Sequence, residues 1–253
     1  MSVTNLRTRQ TVSDAEWQTR CDLAALYRIL HHYRMTDLIY THLSARLPDD
    51  PNTFLINRYG EMFDETTASS LVKMDMDGNV LGEPGDFNQA GFNIHSGAYR
   101  ARPDINCVIH THTRAGVAVS STNGGLLPIS QHALIIHSEV SYYEYGGPGS
   151  IETPEEIGEG CGQSNCIVMR NHGLMALGHS IPAAFHRIYY MEQSCAIQID
   201  AQSMDGGIRD ISPDVLEKSL PVFAERAKRE DLGQNEWGSL LRMLDRNGHE
   251  YQV

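Results

Sequence analysis

Two histidines one residue apart, at the end of a short apolar run, constrain this chain more than any other feature. Asn106-Cys107-Val108-Ile109-His110-Thr111-His112-Thr113 reads as a strand emerging from a core, because Cys-Val-Ile is both apolar and β-prone. Side chains at i and i+2 of a strand leave the same face, so His110 and His112 enter one space, roughly 6–7 Å apart along the backbone. A second apolar strand, Cys166-Ile167-Val168-Met169-Arg170, runs into Asn171-His172-Gly173-Leu174. Glycine after the histidine permits a turn with positive φ, which would throw His172 off the end of its strand. Two such strands ending side by side would gather three imidazoles. Three nitrogen ligands with an open position form a catalytic divalent-metal site rather than a closed structural one. For the H-x-H pair alone, the competing reading is coincidence, one ring in the core and one hydrogen-bonded at a strand end.

The formal charge of −12 over 253 residues disfavours nucleic acid or an anionic membrane as the main partner. No apolar run approaches the ~18 residues of a spanning helix, and the N-terminus has no signal-peptide core. The five cysteines, Cys21, Cys107, Cys161, Cys166 and Cys195, are odd in number and mostly in apolar settings. Free thiols in a reducing compartment follow, and a cytoplasmic location is expected.

The chain divides into a flexible tail (1–12), a domain (13–204) and a helical extension (205–253) that packs on the domain or on a neighbouring subunit. Ser13-Asp14-Ala15-Glu16 has capping-box spacing and opens a helix with Cys21, Leu23, Tyr27 and Leu30 at helical intervals. Strands are expected at 41–46, 53–57, 72–75 and 80–82, the last two joined by the turn Asp77-Gly78-Asn79. Residues 92–102 form a helix in which His95, on an apolar stripe, is read as a core histidine. Further helices lie at 115–120, 153–160 and 180–199, and 146–149 is an irregular loop. The segment 126–134 runs back toward the core, and Tyr142, Tyr143 and Tyr145 suit an interface or pocket wall.

Taken together, Thr41-His42-Leu43-Ser44-Ala45-Arg46, Phe54-Leu55-Ile56-Asn57, Thr67-Ala68-Ser69-Ser70-Leu71-Val72-Lys73, Asn88-Gln89-Ala90-Gly91-Phe92, Ala101-Arg102-Pro103-Asp104 and the two histidine motifs resemble the class II aldolase/adducin family. The resemblance covers roughly residues 15–201 and is closer to the adducin-type branch than to the sugar-phosphate aldolases. It implies a three-layer α/β fold, with a central, mainly antiparallel sheet flanked by helices. It also implies a metal at the sheet's edge near a subunit boundary, and a homotetramer. By the same resemblance His110, His112 and His172 are the metal ligands. Three imidazoles favour Zn2+, with Mn2+ and Fe2+ as alternatives.

The departures from the family pattern bear on the reaction. Where the aldolases hold a phosphate with Gly-Asn-x-Ser, this chain has Thr41 and His42, although Ser44 is kept. Asn57-Arg58-Tyr59-Gly60 replaces a Thr-containing turn. His42, Ser44, Asn57 and Arg58 are the candidate substrate contacts; Arg58 either clamps a carboxylate with its fork or is a solvated turn residue. The family's catalytic glutamate falls on Gly91, which cannot carry a proton. A second family glutamate falls at or beside Ala133, leaving His132 as the candidate acid/base, or as a surface histidine.

Three functions fit these residues. The first is a metal-dependent lyase acting on a carbon–carbon bond beside a carbonyl, on a small-molecule substrate other than a typical phosphosugar. The second is a metal-dependent decarboxylase of a hydroxylated aromatic or keto acid, which would suit Arg58. The third is a non-catalytic adducin-like interaction module.

Overall fold

A computed structural model describes residues 8–144, 153–248 and 250–253. Helix α1 (Asp14–His32) is followed by strands β1 (His42–Arg46), β2 (Thr53–Ile56), β3 (Val72–Asp75) and β4 (Val80–Leu81), then α2 (Gln89–Ala101), β5 (Cys107–Thr111), α3 (Arg114–Ser120) and α4 (Gln131–Ile136). After a single 3-10 turn come β6 (Val140–Tyr143), α5 (Pro154–Cys161), β7 (Cys166–Met169), β8 (Gly173–Gly178), α6 (Ile181–Ser203), α7 (Pro213–Ala227) and α8 (Gln234–Arg246).

The strands form one sheet in the order β4-β3-β2-β1-β5-β8-β7-β6. Every neighbouring pair is antiparallel except β6 with β7, as the resemblance implies. Helices cover both faces. On one, Leu43, Ala45, Leu55, Cys107, Ile109, Val168 and Leu174 pack under α1, α6 and α8. On the other, Phe54, Ile56, Val108, Ile167, Met175 and Leu177 meet α2 and α5. Burial on both sides is why the central strands read as continuous apolar runs instead of alternating ones.

The described part of the segment 1–12 is not a free tail: residues 8–11 are helical and Thr8 is buried. Residues 1–7, Tyr145 and the 146–149 loop lie outside the described residues. The expected capping box at α1 forms by half. The Ser13 hydroxyl accepts from the Glu16 N–H, but the Glu16 carboxylate is taken by Arg20 at 2.9 Å and Lys73 at 2.8 Å. A complete box stands instead at α5, between Thr153 and Glu156.

The C-terminal extension packs on its own domain. Trp237, Leu240 and Leu244 of α8 and Tyr251 are buried in the core shared with α1 and α6. Burial of each leucine contributes roughly 1.5–3 kcal/mol, far more than helix propensity supplies. Trp237 and Tyr251 are thus internal. The Ala68 and Ser69 N–H groups donate to the Tyr251 and Val253 carbonyls, closing the chain end against the 67–70 turn.

Arg187 of α6 and Glu139 form the tie between the helix layer and the β6–β7–β8 edge. The guanidinium donates to both carboxylate oxygens, at 2.7–3.2 Å, and to the Leu177 carbonyl; Asn165 donates to the same carboxylate. All five cysteines are buried free thiols. Among the described residues no helix is long and apolar enough to cross a membrane.

Candidate metal centre

The site is built at the end of β5, in the middle of the sheet and not at its edge. Register places His42 of β1 opposite His110, and Met175 of β8 on its other side. Directly opposed residues share a face, so His110 and His42 both point toward α2. His112 lies one residue beyond the strand. Its position is set by Thr113, the N-cap of α3, whose hydroxyl accepts from the Gly116 N–H and donates to the Glu192 carboxylate of α6.

His172 sits in the β7–β8 turn. The left-handed residue there is Asn171 (φ 57°) and not the expected Gly173; asparagine is one of the few residues that tolerates this region. Gly173 serves a different purpose. A Cβ on it would lie 2.3 Å from the Thr111 carbonyl oxygen, so its absence lets β8 close onto the end of β5 and bring His172 to the other two histidines.

The three imidazoles converge. Nε2 of His112 lies 2.9 Å from Nε2 of His110 and 2.8 Å from Nε2 of His172, and one ligand nitrogen from each falls within 4.8 Å of the others. The far nitrogens decide what occupies the centre. His110 Nδ1 is 3.1 Å from the Leu174 carbonyl oxygen, and His112 Nδ1 is 3.1 Å from Asp37 Oδ2. A carbonyl and a carboxylate only accept, so each Nδ1 carries the hydrogen and each Nε2 is left with a bare lone pair. Two lone pairs at 2.9 Å repel unless a cation lies between them. The donor set therefore fits a divalent metal, with carbonyl and carboxylate partners behind the ligands.

Electrostatics agree. Burial, then His42 and the other two imidazoles, holds His110 well below the usual histidine range. His172 is lowered to about 4, first by burial and then by His112. Both rings are held in the neutral form that ligates metals.

The candidate substrate contacts separate into two groups. His42 and Ser44 reach the triad's surroundings: the His42 ring lies 5.1 Å from that of His110, its Nδ1 is 2.7 Å from His95 Nε2, and Ser44 contacts His95 Nδ1 and the Tyr99 hydroxyl. His95 is fully buried, as expected of a core histidine. Asn57 is engaged elsewhere, its Oδ1 2.8 Å from the Tyr27 hydroxyl. Arg58 is half exposed and faces Glu61 at 3.6 Å. His132 lies in the first turn of α4, where its described partner is the Tyr190 ring at 5.6 Å. Asp37 escaped sequence reading because it belongs to a loop far from either histidine motif; positive φ at Arg34 and Leu38 (57° and 49°) bends that loop.

Residues 21–199 match the Class II Aldolase and Adducin N-terminal domain, and the chain belongs to that family. A Pseudomonas aeruginosa protein carried under the aldolase class 2 name is 42% identical over 95% of this chain and 94% of its own. Rat alpha-adducin is 37% identical over 91% of this chain, which spans 33% of that longer protein. Among solved structures, an aldolase II superfamily protein from Pseudomonas syringae superposes with a TM-score of 0.89 at 40% identity, covering 97% of this chain and 99% of its own. An L-fuculose 1-phosphate aldolase from Glaciozyma antarctica gives 0.82 at 25% identity, over 94% and 93%.

Proposed function

We propose that the protein is a divalent-metal-dependent lyase that acts on a carbon–carbon bond next to a carbonyl in a small-molecule substrate. The observation that carries this reading is the pair of bare Nε2 lone pairs on His110 and His112, 2.9 Å apart and joined by His172. Each is oriented from behind by an acceptor that fixes its tautomer. His110, His112 and His172 would hold the ion, zinc being the metal best suited to three imidazoles. When bound, such an ion supplies Lewis-acid polarisation of an oxygen beside the bond that breaks. The likeness to an L-fuculose 1-phosphate aldolase supports a lyase. The cradle of this chain argues for a substrate other than a phosphosugar, because the His42 ring and not a small donor stands next to the site.

The surface near the site supports an oligomer, the tetramer expected from the resemblance. Leu38 (61% exposed) and Tyr40 (49%) stand on the Asp37 loop, with Tyr33 (38%) nearby in sequence. Exposed apolar groups of this size are commonly covered by a partner; light scattering of the purified protein should give the mass of four chains.

Metal analysis of wild type against His112→Ala tests the centre. Stoichiometric zinc in the first and little in the second is expected; equal content would remove the basis of the reading. A panel of hydroxy-aldehydes, hydroxylated aromatic acids and keto acids, read for aldehyde or CO2 release, then tests the reaction. Aldehyde release is expected. CO2 release would make the protein a decarboxylase, and an inert metal-loaded protein would make it an adducin-like module.

A further inference from the structure

We infer that His42 presents a fixed Nε2–H donor to an oxygen of the substrate beside the three histidines, its tautomer set from behind by Tyr99, Ser44 and His95. This rests on the reading of the triad given above and adds a residue to it.

His42, Ser44, His95 and Tyr99 form one buried chain, each at most 3% exposed. His42 Nδ1 is 2.7 Å from His95 Nε2, His95 Nδ1 contacts the Ser44 hydroxyl, and that hydroxyl is 2.8 Å from the Tyr99 hydroxyl. A neutral imidazole has one N–H, so the chain can run in only two directions. In the first, Tyr99 donates to Ser44, Ser44 to His95 Nδ1, and His95 Nε2–H to His42 Nδ1. Every hydrogen inside the chain then has an acceptor, and the one left at its end is the His42 Nε2–H, which faces the site and not the packed interior. In the second, His42 Nδ1–H donates to His95, His95 to Ser44 and Ser44 to Tyr99. The Tyr99 hydroxyl hydrogen is then left over, and among the described residues Ser44 is its one hydrogen-bond partner. Leaving a buried hydroxyl without an acceptor is unfavourable, which selects the first direction.

Gly91 shows where that donor points. A Cβ on residue 91 would lie 2.7 Å from His42 Cδ2 and 3.0 Å from Nε2. Glycine at the start of α2 therefore makes room for the ring and places no side chain against Nε2, which has no protein partner among the described residues. The ring also lies face-near to His110, at 5.1 Å and 33°, so Nε2–H opens beside the triad. A donor held in place before substrate arrives needs no reorganisation when an oxygen binds. A carbonyl, carboxylate or hydroxyl oxygen of a substrate lodged beside the triad is the group this donor would take.

Two measurements test it. In zinc-loaded, 15N-histidine-labelled protein, His42, assigned with His42→Gln, is expected to be protonated on Nε2 and bare on Nδ1, and Ser44→Ala should give a mixture of the two tautomers. A hydrogen on Nδ1 of wild-type His42 would overturn the inference. For the binding role, glycolate is the probe: calorimetry should give about tenfold weaker binding in His42→Leu, the loss of one hydrogen bond, and near-wild-type binding in His42→Gln, whose amide can donate. Equal affinity in all three proteins, or none measurable in wild type, would remove the donor's role. Repeating the tautomer measurement without zinc keeps the two readings apart: a protein that holds no zinc loses the metal centre, while the state of His42 is still read directly.

Discussion

Asp37 and His112 lie 75 positions apart in the chain, yet the Asp37 carboxylate accepts the Nδ1–H of His112 at 3.1 Å. That contact directs the Nε2 lone pair of His112 to the centre of the triad. Asp37→Asn can present its amide nitrogen to Nδ1 and so stabilise the wrong tautomer. Zinc affinity is expected to fall about 10–100-fold, the usual cost of losing an outer-shell partner, with little change in the stability of the metal-free fold. Competition with a zinc chelator measures it, and an unchanged constant would mean that the carboxylate is only a surface neighbour.

Two glycines near the site should respond differently to a methyl group. At Gly173 the new Cβ would meet the Thr111 carbonyl oxygen, at Gly91 the His42 ring. Backbone cannot step aside as readily as a ring, so Gly173→Ala should cost on the order of 2–3 kcal/mol and Gly91→Ala on the order of 1 kcal/mol. Zinc content should drop in the first, because the neighbouring residue is His172, and hold in the second. Urea titration and metal analysis on the same two proteins give both numbers.

Removing Arg187 should damage the fold and spare the site chemistry. The guanidinium is 3% exposed and the Glu139 side chain 11%, so Arg187→Ala leaves a carboxylate stranded in the interior. The expected loss is about 3–5 kcal/mol, read as a lower urea midpoint. A loss under about 1 kcal/mol, the range of an exposed pair, would mean that water reaches Glu139.

Acid should destabilise the metal-free protein. Burial first, then the neighbouring imidazoles, lowers His42 to about 3 and His172 to about 4. In the unfolded chain both take a proton near pH ~6.5. Between that value and the folded ones the unfolded state binds more protons, so stability drops as pH falls. The contribution of these rings is complete above pH ~6.5 and is lost progressively toward pH ~4 and below. Urea midpoints of chelator-treated protein across that window should decline; a flat profile would put the rings in solvent.

Much of this could be seen in the residues alone, where the signal was local. His110, His112 and His172 stand at strand ends marked by apolar runs, and the helices open on recognisable caps such as Ser180, whose hydroxyl accepts from the Ala183 N–H. What could not be seen depends on distance in the chain. No spacing rule links Asp37 to His112, or Tyr99 to His42; those contacts exist because β1 and β5 are paired and α2 lies across them. Asn57 and Glu16 show the converse. Each has the right residue type for a surface role, and each is consumed by a partner, Tyr27 or Lys73, that only the folded chain supplies. The left-handed turn residue lies two positions before the expected glycine for a similar reason. Gly173 is required by the approach of Thr111, while its neighbour Asn171 takes the unusual backbone angle.

The pairing of His42 with His110 across β1 and β5 has a practical side. A slip of β5 by one residue against β1 would turn His110 through the sheet and away from His42, producing a chain that is compact, well behaved on a sizing column and unable to retain an ion. Bound zinc per chain thus counts correctly registered molecules, and is a better gauge of a preparation than its yield.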